Sequence, residues 1–185
     1  MYTLPISIAK SEKADLFIVE MTALLHDVGD FKFFNGDEKA GEKVVADWLN
    51  SLELQNEIID KIIEAVNSIS FKGANVKDKT NSIEAKVVQD TDRLDALGAV
   101  GIARTFSYGG SNGRELYNPN IKPKNHKSFE EYKKNKSSSI NHFYEKLLLL
   151  KDRMHTKTAK KMAEKRHHFM KKYLEQFFNE WEGRL

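Results

Sequence analysis

Apolar residues recur at spacings of three and four along most of the chain, and the strict alternation of a strand is rare, so the pattern predicts an all-helical protein. Residues 2–13 read as the tail of a helix, with Pro5 near its start or kinking it. Asp15 can cap a second helix over Leu16 to Val28, which Gly29 ends. Phe31 to Gly36 reads as a short aromatic loop. Asp37 starts a third helix reaching Leu49, with acids in its first turn, where the helix dipole favours them. A fourth, from Leu54 to Ile69, aligns Ile58, Ile62, Ala65 and Ile69 on one face. The polar stretch 72–81 reads as a loop, and a long helix is expected from Ile83 to Phe106. Tyr108 to Lys127, with Gly109, Gly110, Gly113, Pro119 and Pro123, is the longest irregular stretch. Ser128 and Glu131 form a capping box for a helix or helix pair reaching Leu150. The last helix, Thr156 to Trp181, carries the stripe Ala159, Met162, Ala163, Phe169, Met170, Tyr173, Phe177 and Trp181. The expected architecture is a single all-α domain over residues 1–185, a bundle of about six or seven helices, with the helices of 128–182 packing on its core.

Composition narrows the class. A chain of 185 residues suits one domain and can bury a core without covalent staples. It is 40% hydrophobic and 31% charged, as globular proteins are. The absence of cysteine excludes a disulfide framework, a thiolate metal site and a cysteine nucleophile. No apolar run approaches the ~20 residues of a membrane helix, and the N-terminus lacks a basic-then-apolar secretory pattern, so a cytoplasmic location is expected. Net charge is +3, with lysines crowded into residues 122–172. That excess reads as a solvated lysine-rich surface, and a nucleic-acid partner is not expected from it. Small polyphosphates need only a few local cations and remain open. There is no Walker-type loop and no Gly-x-Ser-x-Gly elbow.

Two places could carry chemistry. On the helix from Ile83, the stripe Val88, Asp92, Asp95, Ala99, Ile102, Phe106 is apolar except for two aspartates. A carboxylate on a buried face needs a cation, a hydrogen-bond set or a metal; a structural pairing of Asp92 with Arg93 would also satisfy it. Gly98, Ala99 and Gly101 let a neighbouring helix approach closely. The second place is His26-Asp27 at the end of the second helix, since imidazole and carboxylate both bind divalent first-row metals. Adjacent helical residues point about 100° apart, so the two can share an ion only close to their helix, with another helix completing the shell. Lys32, Lys72, Arg93 and Arg104 lie near element ends, where they suit a phosphate or serve as ordinary surface charge. His167-His168 fits a surface or partly packed role on the last helix.

The segments Leu24-Leu25-His26-Asp27-Val28-Gly29-Asp30, Ser70-Phe71-Lys72-Gly73 and Glu84 to Ala99, followed by Gly101 to Phe106, His142 to Leu148 and Arg166 to Met170, resemble the HD-domain metal-dependent phosphohydrolase superfamily, in particular a small bacterial YpgQ/YedJ-like subgroup. The likeness runs over nearly the whole chain. It implies a single HD domain and metal-assisted hydrolysis of a nucleotide-type phosphoester or phosphoanhydride, such as a nucleoside triphosphate cleaved to monophosphate and pyrophosphate. By the same resemblance, His26, Asp27 and Asp92 hold one divalent ion (Mn, Fe, Ni, Co, Zn or Mg). Asp27 and Asp92 are then catalytic, and Lys32, Lys72, Arg93 and Arg104 contact phosphate. Asp90 and Asp95 would orient the site or satisfy nearby cations. The family's first metal-binding His, on its first helix, has no counterpart before His26. Three accounts stand: that helix lies upstream of Met1, which is the expectation; the site is degenerate; or His126 or His142 substitutes. A rival to the enzyme is an impaired HD-fold module that binds nucleotide or a protein partner without turnover. Expected partners are a small-molecule nucleotide and, through the terminal helix, a second copy of the chain; a membrane is not expected.

Overall fold

The computed structural model describes residues 3–28, 34, 38–69, 80–124 and 137–184, and among them it has eight α-helices, one 3₁₀ helix and no strand. The all-α class expected from the pattern holds. The helices group into two compact units, one formed by the described residues up to Ile69 with Thr80 to Thr91, the other by those from Asp92 onward. No described helix is long and apolar enough to cross a membrane.

The first unit contains α1 (Thr3–Glu12), α2 (Leu16–Leu25), α3 (Glu38–Asn50), α4 (Asn56–Ile69) and most of α5 (Ile83–Asp95). Asp15 caps α2 as expected: its carboxylate accepts from the Phe17 and Ile18 amides at 2.9 and 3.1 Å. Its own amide donates to Glu84 of α5 at 3.1 Å, which ties the start of α2 to the start of α5. α1 packs on α2, and both α2 and α3 pack on α4. The core joins Ile18, Met21 and Leu25 of α2, Val45 and Leu49 of α3, and Ile59, Ile62 and Val66 of α4. Burying each such side chain contributes roughly 1.5–3 kcal/mol. The periodicity of α4 is shifted by a residue from the expected stripe: Ile62, Ala65 and Ile69 are buried, but Ile59 and Val66 complete the face while Ile58 is half-buried. Gln89 on α5 donates to the Ile69 carbonyl and accepts from Thr80, which satisfies a buried amide and anchors the end of α4.

The second unit contains α6 (Gly98–Ser111), α7 (Ser139–Glu145), a 3₁₀ helix (Leu147–Arg153) and α8 (Lys157–Trp181). α6 packs on α7 and α8, and the 3₁₀ helix packs on α7 and α8. Thr156 caps α8 by accepting from the Ala159 amide at 3.2 Å. Ala159, Ala163, Met170 and Leu174 form its buried edge. Phe169 and Trp181, placed on that stripe by spacing, are instead each 49% exposed. Phe106, Phe143 and Tyr173 meet at ring separations of 5.9–6.1 Å and fill the middle of the unit. Ser138 caps α7, accepting from the Asn141 amide. The capping box read at Ser128 and Glu131, the loop 72–79 and the segment Gly29 to Phe33 lie outside the described residues.

The largest departure from the pattern is the helix expected over Ile83 to Phe106, which is two helices. Leu97 is extended (φ −115°, ψ 156°) and Gly98 is left-handed (φ +74°), a conformation that costs a residue with a Cβ about 1–2 kcal/mol. The glycine at 101 comes so close to the Ala96 carbonyl group that a Cβ there would overlap backbone. Of the small residues read as making room for a neighbouring helix, Gly98 does so, with the Arg166 stem of α8 against it, while Gly101 makes room for the chain itself to turn. This break accounts for the eighth α-helix. It also ends the stripe after Asp95: Asp92 is exposed, Asp95 is half-buried, and the fully buried acid of α5 is Asp90 at 0% exposure. α6 in turn continues through Gly109 and Gly110 to Ser111, inside the stretch expected to be irregular.

Candidate functional site

α2 closes at Leu25, and the next three residues form a turn in which the His26 amide bonds to the Thr22 carbonyl and the Val28 amide to the Leu25 carbonyl. His26 Nε2 and Asp27 Oδ2 stand 3.4 Å apart. His26 Nδ1 lies 2.9 Å from the Ala23 carbonyl oxygen, which can only accept, so this nitrogen carries a proton and Nε2 is the ring nitrogen turned toward Asp27. A backbone carbonyl holding the far nitrogen is the arrangement that fixes metal-binding imidazoles. Two donor atoms 3.4 Å apart can each reach one ion at about 2.1 Å, so the pair fits a first-row divalent metal. The Asp27 side chain is 79% exposed and that of His26 21%, so the pair is open to an incoming ion. Leu24 and Val28, both exposed, flank it. No group of three or more His, Asp or Glu at metal-holding distance occurs among the described residues.

The other expected residues separate by role. Asp92 belongs to the second unit and is solvent-exposed. Arg93 is only 4% exposed, and its guanidinium donates to the Arg153 carbonyl and lies 3.1 Å from His155 Nε2. It thereby ties the end of α5 to the end of the 3₁₀ helix. Arg104 is exposed on α6 and, with Ala103, Ser107, Tyr108 and Ser111, lines an open depression of about 450 Å³. Lys32, Lys72 and His126 lie outside the described residues. His142, the other histidine weighed as a substitute ligand, is held far below the usual imidazole range, at about 3, by burial and by the positive charges of Lys146 and Arg114. Two cations facing it make it a poor place for a third.

One residue without a role in the sequence reading is Arg166. Its guanidinium donates to the Leu94 carbonyl, and its aliphatic stem lies where a Cβ on Gly98 would sit, 3.1–3.4 Å away. It thus gives the Leu94 carbonyl at the end of α5, which also accepts from the Leu97 amide, a second donor. Its signal was in the sequence: 159, 163, 166, 170, 174 is a continuous three–four spacing, and Arg166 falls on its buried edge.

The chain is similar to known proteins over most of its length. The HD-domain family model matches residues 1–97, a stretch that holds His26, Asp27 and Asp92. The Bacillus subtilis protein YpgQ is 40% identical over 170 residues, 91% of this chain and 75% of its own length. Among solved structures, an HD-superfamily hydrolase from Bacillus thuringiensis is 45% identical with a TM-score of 0.77, covering 98% of this chain and 82% of the other. The structure of Bacillus subtilis YpgQ in complex with ADP is 37% identical with a TM-score of 0.75, covering 97% and 84%.

Proposed function

This chain belongs to the HD-domain family, and on that premise we propose that it is a metal-dependent hydrolase of nucleotide phosphoesters or phosphoanhydrides. Its leading reaction is cleavage of a nucleoside triphosphate to monophosphate and pyrophosphate. The observation that carries the reading is the His26-Asp27 pair, with Nδ1 committed to the Ala23 carbonyl and Nε2 and the Asp27 carboxylate 3.4 Å apart. The ADP complex of YpgQ supports the nucleotide class for that relative. His26, Asp27 and Asp92 are the residues proposed to hold one divalent ion per chain. When bound, such an ion supplies a water of lowered pKa and a Lewis-acid contact to a phosphoryl oxygen. The Ala23 carbonyl keeps the His26 ring in the Nδ1–H tautomer and in fixed orientation. Asp27, the more exposed of the pair, can also accept a proton from the attacking water.

Of the proposed phosphate contacts, Arg104 has an exposed guanidinium beside three hydroxyl-bearing side chains in the depression on α6. Lys32 and Lys72 remain proposals from the family resemblance. Arg93 is better assigned to structure, because its guanidinium already serves Arg153 and His155.

The test is the metal content of the purified chain after Mn²⁺ loading, beside His26→Ala and Asp92→Ala, followed by release of phosphate or pyrophosphate from a nucleotide panel. The expected result is near-stoichiometric metal in the parent, its loss in both variants, and turnover only with metal. A parent that takes up no metal yet binds ADP would overturn the hydrolase reading in favour of a nucleotide-binding module without turnover. The gathering of only two donors at the His-Asp turn among the described residues is the observation on that module's side.

A further inference from the structure

We infer that the solvent face of α8 is a docking surface for the phosphate backbone of duplex nucleic acid. Residues 157–172 contain seven lysines and arginines against one glutamate, whereas the whole chain carries a net charge of only +3. The remainder of the protein is therefore net acidic, and the positive charge is concentrated on one element. The fold then sorts that charge. Ala159, Ala163, Met170 and Leu174 bury one edge of the helix, and Arg166 is spent on the Leu94 carbonyl. Lys157, Lys160, Lys161, Lys165, Lys171 and Lys172 are all exposed. At 100° per residue they fall within about 140° of the helix circumference, with His168 among them.

Among the described residues none of the six makes an ion pair. Glu164, the acid nearest the middle of the face, lies 3.6 Å from Lys151 of the 3₁₀ helix, which offsets its charge. From Lys157 to Lys172 the helix rises about 22 Å. Over that length one strand of a B-form duplex presents about six phosphates, so six ammonium groups meet their equal in charge. A lipid surface is disfavoured by the same geometry. The apolar edge that an interfacial helix would insert is used up in packing, which leaves Phe169 at the margin of the basic face.

The experiment is fluorescence anisotropy of a labelled mixed-sequence 24-base-pair duplex titrated with the full chain at several salt concentrations. Neutralising about six phosphates predicts a log–log slope near −5, an affinity loss of about a thousandfold between 50 and 200 mM salt. The triple variant Lys161→Ala/Lys165→Ala/Lys172→Ala should lower the slope by about three, since each lysine on a phosphate contributes about one. Lys10→Ala/Lys13→Ala/Lys43→Ala, on the first unit, should leave it unchanged. Circular dichroism melting of both variants shows that the fold is retained, and a single Lys165→Ala variant with a slope smaller by about one serves if the triple does not fold. Absence of binding at 50 mM salt overturns the inference. So do slopes that fall equally in the two triple variants, and so does binding to phosphatidylserine vesicles without binding to the duplex.

Discussion

His142 makes the stability of this protein depend on pH in a way that can be worked out in advance. The imidazole is desolvated on α7 and faces the positive charges of Lys146 and Arg114, which brings its folded-state pKa from the ordinary 6.5 to about 3. The folded value lies below the unfolded one, so as pH falls the unfolded chain takes up the proton first. The contribution is fully present above about pH 6.5 and is lost progressively as pH drops from there toward 3. At pH 5 the unfolded imidazole is about 97% protonated and the folded one about 1%, which amounts to roughly 2 kcal/mol. At pH 7.5 the same difference is about 0.1 kcal/mol.

The assay is urea unfolding of the wild type and of His142→Gln at the two pH values. Glutamine keeps a polar side chain of similar length but cannot take up the proton. With a urea slope of about 2 kcal/mol/M, the wild-type midpoint should fall about 1 M further than that of the variant on going from pH 7.5 to 5. Both proteins share the other histidines, whose titration cancels in the comparison. Equal pH dependence in the two proteins would refute the argument, and so would an imidazole titration by NMR with a midpoint near 6.5.

Three further outcomes are expected. Asp15→Ala removes the acceptor of two α2 amides and should cost about 1 kcal/mol, or about 2–4 °C in Tm, with most of the loss recovered by Asp15→Ser. Gly101→Ala places a methyl group on the Ala96 carbonyl, where only backbone could yield; it should cost about 3 kcal/mol by thermal melting, whereas Gly110→Ala, whose Cβ meets nothing within 4 Å, should be neutral or slightly stabilising. Arg104→Ala should lower kcat/KM for a nucleotide triphosphate about 10–100-fold if its guanidinium meets phosphate, while Arg104→Lys, which keeps the charge and loses the fork, should recover part of that.

Much of this protein was legible along the chain. The helix class, the ends of α1, α4 and α8, the cap Asp15, and the His26-Asp27 pair as a sequence feature all follow from residues within one or two turns of each other. Short-range information suffices there because caps and amphipathic spacing are local physics. The family motifs likewise read in one dimension, and the match over residues 1–97 agrees with them. What the chain alone did not reveal depends on groups distant in sequence. The break between α5 and α6 is held by Arg166, 72 residues beyond the Leu94 carbonyl it serves. Without that partner, a Gly-Ala-x-Gly run reads only as close helix packing, which holds at Gly98, and not also as a turn. Within α5 itself the buried acid is Asp90 and Asp92 is exposed, because the elements packed against α5, and not its spacing alone, decide which positions are covered. Arg93 read as a partner for Asp92, a phosphate contact or a surface charge, and the fold set Arg153 and His155 against it. The lysines of α8 were visible as composition, but only the burial of its opposite edge placed them together on one face. Local pattern determined which elements form, and tertiary contacts decided where those elements stop and which of their charges remain available to a ligand.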